Sequence, residues 1–261
     1  MATNYYNNQY FSSKIFECDY AVVAEAIITQ YAPQTVIEFG CGNGELSKAL
    51  AKSGIRVTAI DGYANPDFRG VENIHFYRID LNNPASVEEF LLLQNKKFDL
   101  AICMEVAEHL NPVVSEALIA SLTFAANAVV FSAAIPEQDG DGHINCQNRI
   151  FWHELFEKRN FFLQDSIRSE IRDNPNVGRW YALNTIAYVK SEEEPSKEAY
   201  RKLVANLVKS ESAASSHFYL CNRKLDYKNQ ILHMDLIWAS FKFRNFIKKI
   251  FGKEQNAFDK Y

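Results

Sequence analysis

Glu38-Phe39-Gly40-Cys41-Gly42-Asn43-Gly44 is the stretch that decides the fold. It follows the apolar, β-branched pair Val36-Ile37 and leads into Leu46, Ala49 and Leu50 at helical spacing. Glycines let a backbone turn sharply and approach a ligand closely, and a helix starting just beyond them presents its free amide groups to that ligand. Strand, glycine turn and helix in this order predict a site for a nucleotide-like cofactor.

Spacing and charge narrow the choice. The dinucleotide fingerprint GxGxxG uses its third glycine for close helix-to-strand packing. Here the pattern is GxGxG, with Glu45 where that third glycine would fall. Further apolar runs end in acids: Val57-Thr58-Ala59-Ile60 in Asp61, the run from His75 to Ile79 in Asp80, and the run from Phe98 to Met104 in Glu105. Ligands of an open parallel sheet lie beyond the carboxyl ends of its strands. Glu38, Asp61, Asp80 and Glu105 are therefore expected around one acidic crevice. With no lysine or arginine in the glycine loop, such a crevice repels a pyrophosphate and attracts a sulfonium cation carrying an ammonium group and a ribose diol.

On these residues the chain resembles the class I S-adenosylmethionine-dependent methyltransferases, over residues 35–190. The resemblance implies S-adenosyl-L-methionine as cofactor. It places Gly40, Gly42 and Gly44 along the methionine part, Asp61 at the ribose, and Asp80 with Leu81 at the adenine edge. Glu38 and Glu105 complete the cofactor-binding set. Glu105-Val106-Ala107-Glu108-His109-Leu110, Phe131-Ser132-Ala133-Ala134-Ile135-Pro136 and Gly142-His143-Ile144-Asn145 look like a bacterial group often associated with glycan and secondary-metabolite pathways.

Strand and helix alternate from Thr35 onward, which predicts a parallel sheet covered on both faces. Before it, Asp19 caps a helix running to about Tyr31, with Val22, Ala26 and Ile27 inward, and Pro33 stops it. Residues 117–136 carry no charge, yet Ser121, Thr123, Asn127 and Ser132 argue against a membrane span and for a helix over 112–126 followed by a buried strand over 128–132. Two later strands, over 161–167 and 181–189, flank the turn-forming run Arg172-Asp173-Asn174-Pro175-Asn176-Val177-Gly178 and form an antiparallel pair, which the resemblance sets at one edge of the sheet. The fold class is therefore α/β: a Rossmann-like doubly wound sheet, mostly parallel with one antiparallel edge strand, plus a C-terminal helical extension. The polar run Glu192-Glu193-Glu194-Pro195-Ser196-Lys197 divides a methyltransferase domain with an N-terminal lid segment, 1–190, from the extension, 191–261.

The 261 residues are 48% hydrophobic, enough for a sizeable core, and the formal net charge of -4 disfavours a partner as anionic as nucleic acid. A small-molecule or sugar substrate is expected. Cys18, Cys41, Cys103, Cys146 and Cys221 are odd in number, widely spread and without a CxxC pair, so they read as reduced thiols. Ala2-Thr3-Asn4-Tyr5-Tyr6 has neither a basic region nor an apolar core; no secretory signal is expected, and the reading is cytoplasmic.

Methyl transfer to an alcohol needs alignment of two reactants and removal of a proton, for which histidine is the natural base. His143, in a loop with Asp139, Gly140, Asp141, Gly142 and Asn145, is the first candidate catalytic residue; its other reading is a turn fixed by side-chain hydrogen bonds. His109 is the second, against a role in capping the helix entered at Asn111-Pro112, and Glu108 is placed to orient it. Asn145, Tyr10 and Trp152 are candidate substrate contacts, although Trp152, like His153, also suits packing. Asp139, Asp141 and His143 alternate as metal ligands can, but lack the further acids of a calcium loop and the spacing of a zinc site, so no metal is expected. Tyr5, Tyr6, Tyr10 and Phe11 either fold over the cofactor as a lid or cover the sheet edge. In the stretch 236–251, Ala239, Phe243, Phe246, Ile247 and Ile250 share one helical face ringed by Lys242, Arg244, Lys248 and Lys249; this basic amphipathic helix suits peripheral membrane contact, docking on the catalytic domain, or a homodimer.

The expected activity is O-methylation of a sugar or other small metabolite. N-methylation, a noncatalytic cofactor-binding subunit and a nicotinamide-dependent oxidoreductase remain the rivals.

Overall fold

In a computed structural model the chain is described at residues 6, 8–11, 13, 17–138, 140–192, 195, 198, 200–211 and 214–215. Asp139, Cys221 and the amphipathic stretch 236–251 lie outside the described residues.

Seven strands form one sheet: β1 (Thr35–Phe39), β2 (Arg56–Asp61), β3 (Ile74–Arg78), β4 (Leu100–Met104), β5 (Ala128–Ser132), β6 (Phe161–Gln164) and β7 (Ile186–Lys190). Their order is β3-β2-β1-β4-β5-β7-β6. The first five are mutually parallel, and β7 runs antiparallel to both β5 and β6. This is a Rossmann-like, mostly parallel sheet. The antiparallel strand stands one place in from the edge, and β6 forms the edge itself.

Helices cover both faces because the buried strands alternate their side chains between two cores. Ile37, Phe39, Ala101, Cys103, Val129 and Phe131 pack toward α4 (Pro84–Gln94), α5 (Ser115–Ala125) and α6 (Arg149–Glu157). Val36, Val57, Leu100, Ile102 and Val130 pack toward α2 (Tyr20–Tyr31), α3 (Glu45–Lys52) and α7 (Ile167–Ile171). The inward set of α2 is Val23, Ala24, Ala26 and Ile27, one residue along from the expected Val22. Asp19 caps that helix by accepting from the Val22 amide, and left-handed Ala32 ends it ahead of Pro33. Asn83 caps α4, with Pro84 in the first turn where a missing N–H costs nothing.

The uncharged run 117–136 divides into α5 and β5 as its polar residues require, and no helix among the described residues is long and apolar enough to cross a membrane. The link from β6 to β7 corrects the sequence reading. It is two short helices, α7 and α8 (Arg179–Asn184), and the strands on either side are shorter than expected. Beyond the polar run at 192, helical residues 200–211 lie against the sheet's helices: Leu207 is buried, and Tyr200, Leu203 and Val204 pack on the core. Arg149, buried at the start of α6, donates to Ser210 Oγ at 2.8 Å and to Asn184 Oδ1 at 3.3 Å. Residues up to Ser215 form one compact unit. Cys18, Cys41, Cys103 and Cys146 are free thiols.

Candidate active site

A cavity of about 950 Å³ opens at the carboxyl ends of β1, β2 and β4, which is where the crossover between neighbouring strands leaves room for a ligand. Glu38, Asp61, Asp80 and Glu105 all line it, and no lysine or arginine stands among its described lining residues.

The cofactor side is held by hydrogen bonds from the backbone. Asp61 is 7% exposed and accepts from the amides of Gly42 (3.0 Å), Tyr63 (2.8 Å) and Ala64 (2.8 Å). It thereby ties the glycine loop to the turn after β2. Asp80 accepts from the Asn82 amide at 2.9 Å and the Tyr63 hydroxyl at 3.1 Å. Glu38 is buried and accepts from the Ser47 hydroxyl of α3; burial pushes its carboxyl up to about 8, with the Asp61 charge adding to the effect.

Two glycines are needed for distinct reasons. Gly40, at φ +76°, leaves no room for a side chain: a Cβ there would stand 2.5 Å from Val106 Cγ2, so the turn after β1 can pass directly under the turn after β4. Gly44, at φ +78°, precedes α3 and sits beneath the Phe68 ring. Gly44 does not line the cavity, which corrects its expected place along the methionine part; its conformation starts the helix. Gly40, Gly42 and Leu81 do line it.

The acceptor side is built differently. After β4, Glu105 takes a left-handed backbone (φ +54°), a conformation that costs a non-glycine residue about 1–2 kcal/mol. This bend leads into the 3₁₀ turn Ala107–His109. The Glu105 carboxylate accepts from Gln138 Nε2 (3.2 Å) and Asn184 Nδ2 (3.3 Å). Glu108 is fully buried, and its carboxyl group lies against that of Glu105 and the backbone of Ala134. Burial, then the charge of Glu105, push its carboxyl well up. The rings of His109 and His143 meet edge to face at 4.9 Å. His143 Nδ1 is 3.2 Å from the Gln138 carbonyl, and His109 Nδ1 is 3.2 Å from the Tyr6 hydroxyl. Burial and the neighbouring His143 lower the His109 imidazole to about 4.

Two expected substrate contacts are corrected. Asn145 is 2% exposed, and its side chain donates to the Ala107 carbonyl (3.1 Å) and Ser115 Oγ (2.9 Å). It pins the 140–146 loop to the turn carrying Glu108, and the amides of Ile144 and Asn145 both bond the Glu108 carbonyl at 2.9 Å. Trp152 is buried between Phe131 and Phe151 and does not reach the cavity. Tyr10 does line it, and Tyr6 stands at its mouth with ring contacts to both Tyr63 (5.6 Å) and His109 (5.7 Å). The sequence reading missed Tyr20, Tyr63, Gln138, Trp180 and Tyr181, all of which line the cavity. Tyr63 had a signal, two residues beyond Asp61 on the same turn; the others arrive from segments distant in sequence.

The sheet order and the cavity above the first glycine turn define a Rossmann-like methyltransferase architecture. Residues 19–132 match the family described as "Methyltransferase domain". The chain is similar to the ubiquinone biosynthesis O-methyltransferases of Aromatoleum aromaticum (35% identical over 106 residues, 39% of this chain and 44% of the relative) and Histophilus somni (36% over 107 residues, 38% and 44%). It thus spans less than half the length of these relatives. Its backbone is also similar to that of the magnesium protoporphyrin IX methyltransferase from Synechocystis PCC 6803 with bound SAM, at 20% identity and a TM-score of 0.47, covering 66% of this chain and 77% of that one.

Proposed function

We propose that this protein is an S-adenosylmethionine-dependent methyltransferase that O-methylates a small hydroxylated acceptor. One observation carries the reading: four carboxylates, Glu38, Asp61, Asp80 and Glu105, ring a cavity whose described lining has no cationic side chain. This donor set suits a ligand with an ammonium group, a sulfonium and a ribose diol, and it opposes a pyrophosphate. The glycine loop adds amide groups and close backbone approach. The residues present therefore fit the cofactor, with Asp61 at the ribose hydroxyls, Asp80 and Leu81 at the adenine, and Glu38 and Gly40 with Gly42 at the methionine part.

Bound there, S-adenosylmethionine supplies a methyl group on a positively charged sulfur that leaves as a neutral thioether. The chain's own task is to orient the acceptor and deal with its proton. His109 and His143 face the cavity together; burial makes His109 the weaker base, so His143 receives the hydroxyl proton. Tyr6, Tyr10 and Trp180 supply flat apolar walls for a ring-shaped acceptor, whether aromatic or sugar. The names of the ubiquinone biosynthesis relatives support oxygen over nitrogen as the methylated atom. The net charge of -4 and the acidic cavity favour a small acceptor over nucleic acid. The division of the chain at residue 190, the cytoplasmic location and a membrane or dimer role for the 236–251 helix belong to the same reading.

Calorimetry with S-adenosylmethionine, S-adenosylhomocysteine and NAD, followed by transfer of labelled methyl to a panel of phenols, catechols, sugars and amines, tests it. Binding of the first two ligands and label on an oxygen acceptor are expected. Preference for NAD overturns the cofactor, and label on amines alone overturns the acceptor atom.

A further inference from the structure

We propose that Gln138 and Gly140 are positioning residues that seat His143 at the acceptor side of the cavity, and that a hydrogen-bonded line through Asn184 and Arg149 holds Gln138 in place. The seat stands on its own geometry; its use rests on the methyl-transfer reading, in which His143 takes the hydroxyl proton. That proton passes to the imidazole as the acceptor oxygen bonds the methyl carbon and the sulfur–methyl bond breaks, with the electron pair staying on sulfur.

Gln138 acts in two directions. Its main-chain carbonyl lies 3.2 Å from His143 Nδ1, and the Cys146 sulfur, 3.6 Å from the same nitrogen, is the weaker partner. A carbonyl can only accept, so Nδ1 of the neutral ring carries the proton and Nε2 is the nitrogen that takes one up. The side-chain amide of buried Gln138 is held at both ends: Nε2 donates to Glu105 at 3.2 Å, and Oε1 accepts from Asn184 Nδ2 at 2.8 Å. Asn184 Nδ2 also donates to the other Glu105 oxygen at 3.3 Å. Two amides and one carboxylate thus close a ring, and moving Gln138 breaks two of its bonds.

The ring is anchored from behind. Arg149 donates from Nη2 to Asn184 Oδ1 (3.3 Å) and to the Leu183 carbonyl (2.5 Å), and from Nη1 to Ser210 Oγ (2.8 Å), while its main-chain amide meets the Glu211 carboxylate. Helical residues 200–211, beyond the sheet, are thereby tied to the acceptor side. Neither Asn184 nor Arg149 lines the cavity, so their effect on an acceptor can only be indirect. The loop needs such a hold: Glu137, just before Gln138, takes a left-handed backbone at φ +70°, which is unfavourable for a residue with a side chain. The Gln138 amide closes this bend on the Ile135 carbonyl at 3.1 Å.

Gly140 supplies the floor of the seat. A Cβ there would stand 2.2 Å from both Nε2 and Cε1 of His143, where ordinary contact begins at 3.4 Å. The ring would have to retreat by about 1 Å, and a misplacement of that size costs a reacting pair about a hundredfold in rate. The obstructed group is the end of a side chain and not backbone, so the substitution moves the base without unmaking the fold.

The test uses the full-length protein with histidine labelled for nitrogen NMR, His143→Asn identifying the signal, alongside labelled methyl transfer. In mildly alkaline buffer the wild-type His143 is expected with its proton on Nδ1; a proton on Nε2 overturns the seat. Gln138→Leu should mix the two tautomers and lower kcat about tenfold, and Asn184→Ala should lower kcat about as much with the KM for acceptor unchanged. Because both act through one line, the double variant should lose no more than about twice the larger single loss, and losses that multiply overturn the line. Gly140→Ala should lower kcat about a hundredfold while S-adenosylmethionine affinity, which also reports the folding of every variant, stays within about threefold. Unchanged kcat in folded Gly140→Ala overturns the seat. The expected tautomers without labelled methyl transfer to any acceptor overturn the methyl-transfer reading and leave the seating of His143 intact.

Discussion

Asp61 and Glu108, acids on the two walls of the cavity, are held in opposite ways. On one wall Asp61 takes three backbone amides and Asp80 takes an amide and a hydroxyl, so each acid is satisfied before any ligand arrives. On the other, Glu108 is buried against a second carboxyl group, that of Glu105, beside two imidazoles in contact. A satisfied acid fixes loops and presents its remaining lone pairs in a set direction. A buried acid beside a second carboxylate keeps its proton instead, as the upward push on Glu108 from burial and Glu105 shows. The first wall is prepared for recognition, and the second for chemistry.

Replacing one residue from each wall gives the sharpest separation. His143→Ala should lower turnover by about a hundredfold or more while leaving S-adenosylmethionine affinity within about threefold, as read by labelled transfer and calorimetry. Comparable loss of both would erase the distinction. Asp61→Ala strips three amides of their acceptor, so a stability loss of about 2–3 kcal/mol in urea unfolding is expected together with weaker cofactor binding. Unchanged stability would mean that the carboxylate serves only the ligand.

Asn145 lies behind the second wall, and its replacement tests whether that wall is held from outside. Asn145→Ala should cost about 1–2 kcal/mol and lower kcat, with the KM for acceptor unchanged, because the loop bearing His143 loosens although no contact to the acceptor is lost. A change confined to KM would return Asn145 to the substrate.

A further expected effect is a protonic one on the first wall. Glu38 is pushed up to about 8 in the fold, by burial and by Asp61, against Ser47, which lowers it; Tyr20, Cys41 and Cys103 also face it. Its unfolded value is near 4.3. Between these values the folded chain holds a proton that the unfolded chain has released. The contribution to stability is therefore full below about pH 4 and falls as pH rises toward 8, by at most about 1.4 kcal/mol per pH unit. Glu38→Gln should flatten that slope in urea titrations. A cationic ligand lowers the Glu38 carboxyl, so its binding at pH 7 should release a fraction of a proton, measurable by calorimetry in buffers of different ionisation heat.

Much of the first wall was legible in the sequence because it is local. Each of its acids lies within two residues of the end of a strand, and near-continuous apolar runs mark strands when both faces of the sheet are buried. The second wall was legible in its histidines and in Glu105 and Glu108, but not in the residues that hold them. Asn145 has the polarity of a substrate contact and the burial of a tether, and only the fold tells these apart. Trp152 sits on a helix that turns its ring toward Phe131, a direction that depends on how α6 lies on the sheet. Gln138, in the loop after β5, and Asn184, at the end of α8, hold Glu105 from segments far apart in sequence. The turn-forming residues 172–178 concealed α7 and α8 on either side because short helices carry too few residues for their periodicity to stand out.

The direction of β7 has an architectural consequence. Because it descends the sheet opposite to β5, pairing Ile186 with Phe131, the residues that enter it arrive at the cavity mouth, and Trp180 and Tyr181 stand there. A parallel strand at the same place would have delivered its exit instead. Residues 165–185 thus serve both sides at once: Ile167, Ile171 and Ala182 are buried in the core under β1, β2, β4 and β5, while Trp180 and Tyr181 reach the cavity.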